Sequence, residues 1–201
     1  MARKIFLFIT MMFIVTISLR SYGDGLNIVE ADGQVEQYYI DEVNRQLDFV
    51  PDEMLYDFVL SGWRFFVTDK DIDSYYCDGY WGSVLGCNIN DEKIILIEDR
   101  ELAVKEAPIH ELGHWFDRIN GYPSRTDEFY NIYAEETSSF YAAFDYYSYY
   151  DQGEMFAESL WRYFCFGDEL EENCPKLYQF IDNLLKSKYQ FEEEKAADCS
   201  R

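Results

Sequence analysis

The chain has 201 residues, 48% apolar and 19% aromatic, with a formal net charge of −22. That length and apolar content fit one folded domain and exclude a disordered chain. So acidic a balance argues against nucleic acid and against an anionic membrane surface as partners, and serves either solubility or the steering of a basic substrate.

Arg3 and Lys4 precede an uncharged apolar run from Ile5 to Leu19, and Ser21-Tyr22-Gly23 offers small residues where a signal peptidase reads. Residues 1–23 are therefore expected to be a signal peptide, which makes the protein secreted and extracellular. A membrane-spanning helix needs about 20 apolar residues, more than this run supplies, so no stable membrane insertion is expected after cleavage. Cleavage after Gly23 leaves 14 basic against 39 acidic residues, a charge of −25.

Residues 24–34 are polar and contain glycine, and are expected to form a loose N-terminus. Apolar residues at helical spacing from Tyr38 to Phe49, and a second helix opened by Pro51 and reaching about Leu60, make residues 24–60 an N-terminal segment packed on the domain. Trp63–Thr68, aromatic and β-branched, predicts a strand. Lys93–Glu98 encloses Ile94-Ile95-Leu96-Ile97 and predicts a buried or half-covered strand. The pattern from Leu102 onward is helical. Pro108 suits the first turn of a helix running to about Ile119, with Gly121 just past its end. Further helices are predicted over Thr126–Phe144, Glu154–Phe166 and Cys174–Tyr189, the last with Pro175 in its first turn, and residues 191–201 form an acidic tail. The fold class is α+β, with a small N-terminal sheet and a helical C-terminal half.

The five cysteines all follow residue 23, and export makes disulfides possible. Cys77 and Cys87 bracket a Gly-rich loop, and Cys165 and Cys174 bracket a short acidic connection. The expected pairs are these two local ones, with Cys199 left over, although spacing alone does not fix the connectivity.

The chain contains only two histidines, His110 and His114, with Glu111 directly after the first. Residues i and i+4 of a helix lie on one face, so both imidazoles can reach one zinc ion. Glu111, beside the first of them, can take a proton from a water at the metal without binding the metal itself. Three protein ligands leave a fourth position open, the arrangement of a catalytic site. No third histidine exists, and Asp117 and Asn120 stand where a metzincin would need Gly and His. The third ligand must therefore come from a carboxylate, a cysteine or another oxygen donor, and a downstream glutamate would make the site that of a gluzincin. Glu135 and Glu136 compete with Glu154, which shares a helix face with Glu158 one turn on. A carboxylate pair of that kind suits one metal ligand and one partner for a metal-bound imidazole.

His110-Glu111-Leu112-Gly113-His114, followed by Glu154-Met155-Phe156-Ala157-Glu158 and then Pro175-Lys176-Leu177-Tyr178-Gln179-Phe180-Ile181, resembles the catalytic domain of the lethal factor family and the small secreted Pro-Pro endopeptidases of gluzincin type. The resemblance implies a zincin-like metalloprotease domain over residues 61–190 and one catalytic Zn²⁺ held by His110, His114 and Glu154. It further implies Glu111 as general base, Glu158 behind a ligand, and Tyr147, seven residues before Glu154, supporting the oxyanion. The expected activity is hydrolysis of a peptide or protein substrate, basic if the surface charge steers it, laid along the strand near Lys93–Glu98 by main-chain hydrogen bonds. Against this stands a zinc-dependent binding protein or toxin subunit that does not cleave. A purely structural zinc site gives no reason for Glu111 beside an open position.

Overall fold

The computed structural model describes residues 26–76, 84–144 and 151–189. Four strands make one sheet in the order β1-β2-β4-β3: β1 (Val29–Asp32), β2 (Arg64–Thr68) and β4 (Ile94–Glu98) run parallel, and β3 (Gly86–Ile89) runs antiparallel to β4. The helices are α1 (Gln37–Leu47), α2 (Asp52–Leu60), α3 (Ile72–Tyr76), α4 (Glu101–Ile119), α5 (Asp127–Phe144), α6 (Gln152–Cys165), α7 (Gly167–Asn173) and α8 (Pro175–Lys188). This is the expected α+β arrangement. Among the described residues, no helix is long and apolar enough to cross a membrane.

The continuous apolar run of β4 is explained by cover on both faces. Phe65 and Val67 of β2 and Ile95 and Ile97 of β4 join the main core with the helices, while Ile94 and Leu96 pack with Ile72 on the opposite face. The main core also takes Val43 and Leu47 from α1 and Phe58 from α2, which meets Trp115 of α4 edge to face at 5.2 Å. The N-terminal helices therefore share one core with the helical half.

Several expectations need correction. Residues 29–32 are not loose: they form β1, in register with β2, because Asp32 is fixed by Thr68, Tyr76 and an ion pair to Lys70 at 2.9 Å. Pro108 lies in the middle of α4 rather than in its first turn. The helix continues through it because Ala103, Val104 and Ala107 before it and Ile109 and Leu112 after it are all buried in the same core, and this packing outweighs the missing backbone donor. The acidic connection after Cys165 is the short helix α7, closed onto the core by Leu170. Strand β4 is central, paired with β2 and β3, and has no edge to offer a peptide; β3 is the edge strand beside it. The Cys165–Cys174 pair does not form, since Cys174 carries a thiol; the Cys77–Cys87 pair falls on Cys77, which lies outside the described residues. Cys174 sits in the main core, and burial, with Glu136 nearby, pushes its thiol up to about 12. Cys165 is disulfide-bonded, and Cys199 also lies outside the described residues.

Helices α4 and α6 cross with almost no side chain between them. A Cβ built on Gly113 of α4 would lie 2.7 Å from the Ala157 Cα and 2.9 Å from its carbonyl oxygen. Here the glycine serves close approach, and alanine at both crossing positions would separate the two backbones. Gly113→Ala should therefore destabilise the protein by about 1–2 kcal/mol, because overpacking of this kind costs about 1–3 kcal/mol while alanine regains at most about 1 kcal/mol of helix propensity. Urea unfolding of the metal-free protein measures it, as a lower midpoint at unchanged slope.

Candidate metal centre

His110, Glu111 and His114 lie on α4, and the buried side of that helix is fixed by Ile109, Leu112, Trp115 and Phe116 in the core. The two imidazoles consequently share the face turned toward α6. Glu154 reaches them from the first turn of α6. Asp151 caps that helix, its carboxylate accepting from the backbone N–H groups of Gly153 at 2.9 Å and Glu154 at 3.2 Å. The cap holds the start of α6 against fraying, and a carboxylate in the first turn is favoured by the helix dipole.

Three donor groups converge. The Nε2 atoms of His110 and His114 are 3.2 Å apart, and the two carboxylate oxygens of Glu154 lie 3.4 Å from one and 3.4 Å from the other. A tetrahedral ion with bonds of about 2.0–2.1 Å has ligand–ligand edges of about 3.3–3.4 Å. Each separation is close to such an edge, with a different Glu154 oxygen nearest each imidazole, so the donor set fits a metal ion. Among the described residues, Glu154 and Glu158 are the acids within ion-pair distance of these imidazoles. Glu111 also comes within 4.8 Å of both, but its Oε2 is engaged at 2.6 Å by the Asn88 amide on β3.

Glu158, one turn beyond Glu154, is buried and stands 3.1 Å from His110 Nδ1. An ionised carboxylate only accepts, so Nδ1 must carry the proton, which leaves Nε2 as the lone-pair donor that a metal requires. Arg162, a further turn along, donates from Nε to Glu158 Oε1 at 2.8 Å and stacks on Trp161 at 4.0 Å. Glu154, Glu158 and Arg162 thus form one stripe of α6, and sequence spacing alone gave no sign of Arg162's part in it.

Charge at the site is arranged for a cation. Burial works against a charged His110, but hydrogen bonds to Glu154 and Glu158 outweigh it and push the imidazole up to about 10. Burial likewise works against the Glu154 carboxylate, yet His110 and His114 hold it well below the usual carboxylate range.

Glu135 and Glu136 are turned away from the imidazoles and used elsewhere. Both oxygens of the buried Glu136 accept backbone N–H bonds at the start of α8, from Lys176 at 3.0 Å and Leu177 at 2.9 Å, and Glu135 pairs with the Lys176 ammonium. That is the anion position at a helix N-terminus, and it occupies the two acids that competed with Glu154. Tyr147 lies outside the described residues.

Comparison with known proteins found a family and a related fold. The family model "Anthrax toxin lethal factor, N- and C-terminal domain" matches residues 69–184. Among solved structures, the Pro-Pro endopeptidase of Paenibacillus alvei is similar at 23% identity with a TM-score of 0.61, over 78% of this chain and 97% of that one. No curated protein matches the chain by sequence.

Two outcomes are expected. Glu154→Ala should lose bound metal on dialysis, whereas Glu135→Ala and Glu136→Ala should keep it; metal content per chain decides between them. Metal affinity should also rise with pH. Below about 10 the metal-free His110 holds the proton that must leave before Nε2 can bind, so the complex carries one proton fewer than the free protein. Apparent affinity should therefore gain about tenfold per pH unit between pH 6 and 9. Competition with a chelator of known affinity across that range measures the slope.

Proposed function

Because this chain belongs to the lethal factor family, we propose that it is a secreted zinc endopeptidase that hydrolyses peptide bonds in extracellular or host proteins. The observation that carries the reading is the convergence of both Nε2 atoms and both Glu154 oxygens at separations of 3.2–3.4 Å, with a third carboxylate, Glu111, held beside them and bonded to Asn88. The printed name of the Paenibacillus alvei structure, an endopeptidase, supports a peptide substrate. Secretion rests on the N-terminal residues 1–23.

His110, His114 and Glu154 are the residues that would hold the ion. Zinc held there would lower the pKa of a water to about 7 and polarise a carbonyl. The chain's own groups do the rest. Glu111 takes a proton from the attacking water and hands it to the leaving amine. Its burial on α4 keeps the carboxylate from swinging into solvent. Glu158 fixes the His110 tautomer and ring plane, and Arg162 in turn fixes Glu158. Tyr147, assigned by resemblance, would donate its hydroxyl to the oxyanion that develops on the substrate carbonyl, where a donor helps the transition state more than the ground state. An extended peptide would pair with the outer edge of β3, bringing its carbonyl over the α4 face.

A peptide library incubated with the mature protein, with and without a zinc chelator, tests the reading, and cleavage that the chelator abolishes is the expected result. Glu111→Ala should keep its zinc and lose turnover by at least the roughly 10²–10⁴-fold typical of a general base. Near-normal cleavage by that variant would remove Glu111 from the mechanism.

A further inference from the structure

Strand β3 does more than border the sheet. Gly86 and Asn88 are two residues apart, so both face the same side, and that side is turned toward α4. The Asn88 Nδ2 donates to the Glu111 side chain at 2.6 Å and to the Glu111 main-chain carbonyl at 2.9 Å. Both partners are acceptors, so the amide must point its nitrogen at Glu111 and cannot be flipped. The price of that orientation is visible at the other end of the amide, where the buried Asn88 Oδ1 meets no donor among the described residues. Gly86 leaves the room: a Cβ there would lie 2.8 Å from Glu111 Cγ and 2.9 Å from Ile97 Cδ1.

We infer that Asn88 is a positioning residue for the general base, and that Gly86 and Asn88 together make β3 a cradle that sets the angle and depth of the Glu111 carboxylate. The inference rests on the reading of Glu111 as base. One Glu111 oxygen is pinned by the amide, which leaves the other for the proton of the attacking water. The second Asn88 bond, to the α4 backbone, ties the strand to the helix at the residue that does the chemistry. The spacing between the outer edge of β3 and the base is thereby fixed by one side chain. A peptide lying on that edge would meet a carboxylate already aimed, without reorganisation during the reaction.

Asn88→Asp keeps the volume and removes the donor; Asn88→Leu removes it without adding charge. Each should lower kcat about 10–100-fold, the usual loss for a partner that orients an active-site group. KM should stay within about twofold, and zinc content should match the wild type. Gly86→Ala should give the same split between kcat and KM. A second readout needs neither turnover nor metal. In NMR spectra of the wild-type protein, an Asn88 side-chain amide proton should lie downfield of the ordinary range, and Glu111→Gln should return it there by replacing a charged acceptor with a neutral one. Wild-type kcat in Asn88→Asp, or an Asn88 amide signal that Glu111→Gln leaves in place, overturns the inference. If the Asn88 variants do not fold, the amide signal alone decides. Failure of the underlying reading looks different: zinc-loaded wild type that cuts no peptide, or an active Glu111→Gln, with the amide shift still present.

Discussion

At Gly113 the backbone of α4 meets the backbone of α6, and the missing side chain is what the rest of the site depends on. Imidazoles on one helix and carboxylates on another can converge only if the helix axes are close, because a glutamate reaches only a few ångströms beyond its Cα. A Cβ at Gly113 would collide with the Ala157 backbone at 2.7 Å. Moving α6 outward to relieve the contact would move Glu154 and Glu158 together, since both ride on that helix. The apolar core holds the approach from behind, through Phe116 stacked on Phe156 and Phe129 packed edge to face against the same ring.

Once the helices are in place, the polar groups are ordered outward from the imidazoles. Glu154 faces both Nε2 atoms, Glu158 holds His110 Nδ1, and Arg162 holds Glu158. Each member needs the next. A buried carboxylate without a donor would neutralise, and an imidazole without a fixed tautomer would present its lone pair on the wrong nitrogen. On the opposite side, β3 gives Glu111 an amide donor from Asn88 and the room that Gly86 leaves. Glu111 on α4 and the carboxylates of α6 are thus given different neighbours.

Much of this was legible in the sequence because it is local. The four-residue spacing of the histidines, the adjacent glutamate, and the Glu154/Glu158 pair are properties of single helices, which periodicity reports directly. Most helix boundaries followed for the same reason. What sequence could not decide was long-range. Three glutamates had the chemistry of a third ligand, and only the docking of α8 shows that Glu135 and Glu136 are spent on its N-terminal turn. Strand β3 is four residues, Gly86-Cys87-Asn88-Ile89, too short for an alternation to show, so spacing reveals neither this strand nor the contact of Asn88 with Glu111. Pro108 signals a helix start by local rule, and the core on both sides of it overrides that rule. The Cys165–Cys174 pair failed because sequence proximity is a poor guide to which thiols meet: Cys174 is drawn into the core as an apolar group.

The central claim is that two imidazoles and one carboxylate, brought together by the α4–α6 crossing, form a three-ligand site with a fourth position open. Zinc K-edge X-ray absorption on the protein loaded with one equivalent of zinc addresses it without any assumption about substrate. The account predicts four nitrogen or oxygen neighbours at about 2.0–2.1 Å, with outer-shell scattering from two imidazoles. A sulfur neighbour at about 2.3 Å, or a shell with fewer than two imidazoles, would contradict it.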